Sequence, residues 1–412
     1  MEAIPNIVWV KLFEEPIRID WSANGDELLS RMLKALGEKV SLKSWEYHRH
    51  TPTGEDPYFY LGRPISDRLT SELALVPAVD GFYAYARFKT DSVDTSQIHL
   101  WVDSVTDALA RLSQPHAAHE WSAYIGPVGE QMSGTQRVVQ GFRVGGLTVG
   151  PATSEYIDIA RQQIPSLAAG CGVDADISFP VKVNGSSQGY SWYSAMESAS
   201  CDLNRLCAIL SVAFNANWKI RHAANLKAYG ELSLPLARFD ILERYSNRDL
   251  PVEDLMAPSW LEAAWHRLDQ DEALATSLYA YHQGLGLEET APSFALVAYV
   301  GSIEGLGSIV DPPKPCETCE NVPGAARRFR NALELVLSWE DAQALYKQVY
   351  PDRSKTAHEG QLHGGELTGE ARYIVRIFTH SASDEFCNQV VRRIRQVNRM
   401  LLRHFLCDDK GG

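Results

Sequence analysis

Apolar and polar positions follow two regimes along the chain. Short runs rich in Val, Ile and aromatic residues at 6–13 (NIVWVKLF), 83–88 (YAYARF), 98–102, 137–144 (RVVQGFRV) and 176–183 predict strands. Between them, apolar residues at helical spacing over 25–36, 104–112 and 154–164 predict short amphipathic helices. Gly and Pro cluster near 51–64 and 126–151, which marks loops. After Asn184-Gly185-Ser186-Ser187 the pattern becomes helical, with expected helices at 191–213, 260–283, 293–309, 325–338, 341–349 and 384–405. Pro312, Pro313 and Pro315 interrupt this array, because proline lacks the amide donor a helix needs. The expectation is an α+β protein: a mixed domain over 1–186, then an all-helical domain over 187–412 with a linker near 311–323.

Composition narrows the class. At 412 residues the chain is long enough for two or three cores, and 45% apolar with 22% charged residues excludes a disordered or collagenous chain. The longest apolar runs, 206–214 and 294–300, fall well short of the roughly 18 residues of a membrane span, so no membrane crossing is expected. Acidic residues and Pro5 stand near the N-terminus where an export signal carries a basic patch, and a cytoplasmic location is expected. Seven scattered cysteines, an odd number, read as mostly reduced thiols.

Charge separates the two regimes. Residues 301–412 hold 15 Lys+Arg and 15 Asp+Glu, so the whole net charge of -13 falls on residues 1–300. Polyanion binding depends on where local basic groups sit, and the last predicted helix offers one arrangement. At 100° per residue Val390, Ile394, Val397, Leu401 and Phe405 share a face, with Arg392, Arg395, Arg399 and Arg403 about opposite. No acid interrupts 390–406. The stripe reads as an RNA-phosphate track, a solvated face, or a surface paired with the acidic N-terminal domain.

A second cluster carries chemistry: Tyr350-Pro-Asp-Arg353-Ser354-Lys-Thr-Ala-His358-Glu-Gly360, with His363-Gly364-Gly365 close behind. Pro351 suits a first helical turn, and Gly360 or the later Gly364-Gly365 pair a helix end, which puts Arg353 and His358 in a short helix or at its margins. Arginine supplies a permanent planar fork for phosphate oxygens and histidine moves protons near neutral pH, a pair able to perform metal-free RNA transesterification. Five residues along a helix is about 140° of rotation, so the two share a face only through a bend or a second subunit.

These segments resemble the Apea-like branch of the HEPN superfamily (higher eukaryotes and prokaryotes nucleotide-binding). The resemblance spans roughly residues 290–405. It rests on Ala298-Tyr-Val-Gly-Ser-Ile303-Glu304-Gly-Leu306-Gly307, on the basic Ala326-Arg-Arg-Phe-Arg330 after a Cys-containing linker, and on the Arg353, Ser354, His358 spacing. Glu359 stands where the branch commonly has Gly directly after the His. The resemblance implies an antiparallel helical bundle and a metal-independent endoribonuclease, active as a homodimer in which Arg353 of one copy works beside His358 of the other. It implies catalytic roles for Arg353 and His358, with Ser354 orienting phosphate or capping the helix. Glu304 would orient Arg or His across the bundle or serve as a structural carboxylate. RNA, with a tRNA loop as one target, and a phage-derived trigger would be the partners, in anti-phage defence. The competing reading is a non-catalytic HEPN module for dimerisation or nucleotide binding.

Cys316-Glu-Thr-Cys319 is half of a zinc site; a structural zinc needs two further ligands, with Cys387, Cys407, His358 and His363 as the candidates. No cofactor is expected for catalysis. His116 and His119 read as a helix-surface pair. Walker, dinucleotide-fingerprint, H-E-x-x-H and G-x-S-x-G motifs are absent, which removes the usual signals of nucleotide, zinc-protease and serine-hydrolase classes. Trp9, Trp21, Trp45, Trp101 and Trp121 read mostly as core, the alternative being that some line a recognition surface, and the sequence does not say which.

Overall fold

The structure, a computed structural model, describes residues 8–46, 59–78, 81–88, 93–112, 114–128, 136–138, 141–151, 181–226, 253–288, 290–312, 324–363 and 386–407. Helices and antiparallel sheets are both present, so the α+β class holds. The chain forms two compact units. The first comprises Met1–His119 with Gln188–Ala195, and the second Glu120–Ser187 with Met196–Gly412.

The first unit is a five-stranded antiparallel sheet beside two helices. The strands β1 (Val8–Lys11), β2 (Ser44–Glu46), β3 (Phe59–Ile65), β4 (Ser71–Ala78) and β5 (Gly81–Phe88) lie in the order β1-β5-β4-β3-β2. Helices α1 (Trp21–Lys39) and α2 (Thr95–Leu112) pack on one face, where Leu28, Met32, Leu36, Trp101, Val105 and Ala108 meet Leu73, Leu75, Ala84, Ala86 and Phe88. Gly81 has φ +151°, and a methyl group there would stand 2.1 Å from the Ile17 carbonyl oxygen, so the start of β5 requires glycine. Trp101 Nε1 donates to Ser71 Oγ at 2.8 Å, which ties α2 to β4. The stretch 98–102, expected as a strand, is inside α2: its β-prone Trp101 lies on the buried face of a helix that Ser104 and Ala108 continue.

The second unit joins a sheet to a helical array. Strands β6 (Ala117–Val128), β8 (Phe142–Val144), β9 (Leu147–Pro151), β10 (Val181–Gly189) and β11 (Asn217–Leu226) order as β11-β6-β10-β9-β8, and β7 (Gln136–Val138) pairs in parallel with β12 (Glu253–Leu255). The helices are α3 (Trp192–Phe214), α4 (Leu261–Gln270), α5 (Glu272–Leu287), α6 (Pro292–Val310), α7 (Ala325–Leu333), α8 (Trp339–Glu359) and α9 (Arg392–Cys407), the last entered through a π-turn at Phe386–Val391. One core joins Trp121, Ile125, Val149, Val183 and Trp218 of the sheet to Leu203, Leu278, Leu296, Ile303, Phe329, Leu345 and Leu401 of the helices.

Two expectations are corrected here. The boundary expected at 186/187 falls inside β10, and the C-terminal part is not all-helical: the sheet shares its core with the helices and belongs to their unit. The Asn-Gly-Ser-Ser signal misled because Gly185 is a packing glycine, where a methyl group would stand 2.4 Å from the Trp121 ring. Likewise, 260–283 divides at Asp271, whose carboxylate accepts from the Leu274 amide at 3.0 Å and starts a new helix.

Helix α6 is the centre of the array, with Tyr299, Val300, Ile303 and Leu306 fully buried. Glycines let its neighbours close in: a methyl group at Gly307 would lie 2.2 Å from the Arg328 carbonyl oxygen of α7. Among the described residues α6 is also the one helix long and apolar enough to cross a membrane, a composition it shares with core helices.

Candidate functional site

Helix α8 begins at Ser338, whose hydroxyl oxygen accepts from the Asp341 amide at 3.2 Å, and ends at Gly360 in the left-handed conformation at φ 68°. It runs unbroken through Pro351. The short helix expected to start at Pro351 is thus the last third of a longer one, held by burial of Leu345, Val349 and Thr356 on both sides of the proline. Of the two ends expected, Gly360 holds.

The heptad-like spacing of α8 points Tyr346, Tyr350 and Arg353 along one side. The Tyr346 and Tyr350 rings lie 5.0 Å apart and Phe329 of α7 is 5.6 Å from Tyr350. Across from them α6 presents Glu304. Its Oε1 accepts from the Tyr350 hydroxyl at 3.0 Å and its Oε2 from Arg353 Nη2 at 3.0 Å. The Arg353 guanidinium carbon stands 5.6 Å from the Tyr350 ring. Side-chain exposures of 19% for Arg353 and 13% for Glu304 leave the pair at the margin of water. Burial, then the Glu304 carboxylate, pushes the Tyr350 hydroxyl up to about 12, so it is a donor throughout the neutral range. Of the alternatives open for Glu304, an Arg or His partner or a structural carboxylate, the structure shows a contact with Arg353. Tyr350 was missed as a member, although its place three residues before Arg353 puts both on one helical side.

His358 is not part of this cluster. It is exposed on the last turn of α8, and Ser354 is half-buried between. Five residues of unbroken helix carry His358 about 7.5 Å along and about 140° around from Arg353. One chain does not bring the two side by side.

A different histidine is anchored nearby. The His363 amide donates to Ser293 Oγ at the start of α6 at 2.8 Å, its Nδ1 lies 4.0 Å from Asp352 Oδ1, and its ring stacks on Phe386 at 5.5 Å. Asp352 and Phe386 had carried no expectation, and no spacing in the sequence ties them to His363.

The arginine stripe is corrected. Arg392 and Arg403 are exposed, but Arg395 is buried and donates to Glu288 Oε2 at 2.7 Å. Arg399 donates from Nε to the Val212 carbonyl at 2.7 Å and from Nη2 to the Ala213 carbonyl at 3.0 Å, closing the C-terminus of α3. The helix is covered on more than one side, so half of the supposed open face is internal wiring. Beside it, Asn398 Nδ2 donates to the Tyr299 carbonyl at 3.1 Å and Ser302 Oγ to Asn398 Oδ1 at 3.0 Å.

Cys316 and Cys319 lie outside the described residues, as do residues 313–323 of the linker expected near 311–323. Among the described residues no group of three or more His, Cys, Asp and Glu could hold a metal ion. Among the described residues, Cys201 and Cys207 are free thiols. His116 and His119 sit at the start of β6, not on a helix, and His116 Nε2 lies 3.4 Å from Glu27 Oε2.

No protein-family model matches the chain, and neither the curated proteins nor the solved structures contain a match.

Proposed function

We propose that the second unit is a metal-independent endoribonuclease that acts as a homodimer on structured RNA with an exposed loop, tRNA among the candidates, in anti-phage defence triggered by a phage component. The supporting observation is the split on α8: Arg353 is fixed by Glu304 and Tyr350, while His358 stands exposed about 140° away. A twofold-related copy would set His358 of one chain against Arg353 of the other. His358 takes the proton of the ribose 2′-hydroxyl, the 2′-oxygen attacks phosphorus, and the P–O5′ bond breaks as the 5′-oxygen gains a proton. Arg353 holds the phosphoryl oxygens as negative charge develops, with its position set by Glu304. The products are 2′,3′-cyclic phosphate and 5′-hydroxyl ends.

One observation favours the non-catalytic reading of a dimerising or nucleotide-binding module. Both oxygens of Glu304 are already engaged, one by Arg353 and one by Tyr350, which is a self-contained cluster. Expression in a bacterial host with and without phage separates the two. RNA breakage with cyclic-phosphate ends that persists for purified protein in EDTA, and is lost in Arg353→Ala and in His358→Ala, supports the nuclease. Breakage unchanged in His358→Ala refutes it.

A further inference from the structure

The first unit's sheet is two-faced. Ala84, Ala86 and Phe88 of β5 enter the core under α1 and α2, so the alternating residues Tyr83, Tyr85 and Arg87 project from the opposite face. Register extends that face across β1, where Trp9 stands opposite Arg87 and Lys11 opposite Tyr85. The result is three aromatic rings interleaved with two cations on adjacent strands. Trp9 and Tyr85 meet edge to face at 6.3 Å, the Lys11 ammonium sits 4.2 Å from the centre of the Tyr83 ring, and the Arg87 guanidinium carbon 5.6 Å from that of Trp9. Trp9 is 38% exposed and Lys11 is exposed. On the other side of β5, Glu72 of β4 is buried and accepts from Arg87 at 3.3 Å, which fixes the guanidinium over the sheet.

A large indole stands 38% exposed on a regular strand, in register with a cation. We propose that this face binds single-stranded RNA, with bases stacked on Trp9, Tyr85 and Tyr83 and phosphates held by Lys11 and Arg87. Rings and cations alternate here as bases and phosphates alternate along a nucleic-acid strand, and stacking tolerates any base. A proline-rich peptide also seeks aromatic surfaces, but it has no charge to engage the two cations. The acidity of residues 1–300 does not oppose the assignment, because a stacking surface responds to the charges on its own face. The site is separate from the cleavage chemistry proposed above and holds whether or not the second unit cuts RNA.

The test uses the full chain and a fluorescein-labelled single-stranded 2′-O-methyl oligonucleotide of about twelve nucleotides, read by anisotropy. Lacking the 2′-hydroxyl nucleophile, this probe reports binding even if the nuclease reading fails. Single strand should bind more tightly than the same sequence as duplex. Trp9→Ala and Tyr85→Leu should each weaken binding about tenfold, while Trp9→Phe, which keeps a ring, retains most of it. Lys11→Gln, at an exposed position, should make the slope of log affinity against log salt shallower by about 0.7. Wild-type affinity in Trp9→Ala/Tyr85→Leu protein with an unshifted thermal melt overturns the proposal. So does equal affinity for duplex, or a proline-rich peptide bound at this face in place of the oligonucleotide.

Discussion

Helix α6 takes part in two clusters built from the same three residue types. In one, Glu288 accepts from the Tyr299 hydroxyl on Oε1 and from Arg395 on Oε2; in the other, Glu304 accepts from the Tyr350 hydroxyl on Oε1 and from Arg353 on Oε2. The wiring is the same and the surroundings differ. Tyr299 is fully buried, Arg395 shows 8% of its side chain, and Asn398 and Ser302 knit the backbone of α6 to α9 beside them. Tyr350 and Arg353 are only half-buried on α8, and the Arg353 side chain keeps 19% exposure. An ion pair in the interior costs desolvation on both partners and is kept in place by what surrounds it, whereas one at the margin leaves an edge for a ligand. The contrast identifies Glu288, Arg395 and Tyr299 as a helix tie and leaves Glu304, Arg353 and Tyr350 as the cluster with an edge open to a ligand.

The largest expected effect breaks this comparison on stability. Removing one partner of a buried pair strands the other, so Arg395→Met should destabilise the second unit by about 3–5 kcal/mol. Arg395→Met combined with Glu288→Leu should recover most of that loss, because neither charge is then left alone. Arg353→Met, at the margin, should cost about 1 kcal/mol or less. Denaturant melts of the three variants decide the matter: equal losses for Arg353→Met and Arg395→Met would make both clusters structural and remove the main support for a site on α8.

A smaller effect sharpens the comparison on RNA binding. Of the four arginines expected to track phosphate, Arg392 and Arg403 are exposed while Arg395 and Arg399 hold carboxylate and carbonyl oxygens of neighbouring elements. Replacing Arg392 and Arg403 with Gln should leave the melt within about 0.5 kcal/mol of wild type. If α9 contacts RNA at all, the same change makes the salt slope shallower by about 0.7 per phosphate lost. An unchanged slope assigns those two arginines to a solvated surface.

Local pattern carried part of this structure. The run at 25–36 lies within α1, the run at 191–213 matches α3 to within one residue at each end, and Gly360 ends α8 where its left-handed preference would place it. Arg353 and Glu304 were each legible as candidates because a motif carried each, but their contact was one of several alternatives. What local pattern could not carry is anything decided by long-range burial. Ile98 and Val102 have strand propensity, yet inside α2 they pack partly buried at the flank of a helix face formed by Trp101, Ser104, Val105 and Ala108. Gly185 looks like a linker residue until Trp121 is known to lie across it. An arginine stripe is indistinguishable in sequence from a solvated face, and only the presence of Glu288 and of the end of α3 shows that Arg395 and Arg399 face inward.

The last test concerns pH and separates the tie from an ordinary surface ion pair. Burial, opposed by Arg395 and by the Tyr299 hydroxyl, holds the Glu288 carboxyl above its ordinary value of 4.5. In the interval above 4.5 the native chain retains a proton there that the unfolded chain has released. Stability from this group is therefore fully present below the unfolded pKa and is lost as pH rises through the raised native value. Glu288→Gln removes the titration while keeping one acceptor oxygen, for either Tyr299 or Arg395. The difference in unfolding free energy, wild type minus Glu288→Gln, should fall as pH climbs from about 4.5 and then level off once the native carboxyl is ionised. Urea melts at closely spaced pH values measure that difference free of the other carboxylates, which titrate alike in both proteins. A difference that instead rises as pH climbs towards about 4.5 and is flat above it would mean that Arg395 outweighs burial, and the cluster would then stabilise the fold through its charge, as a partly exposed pair does.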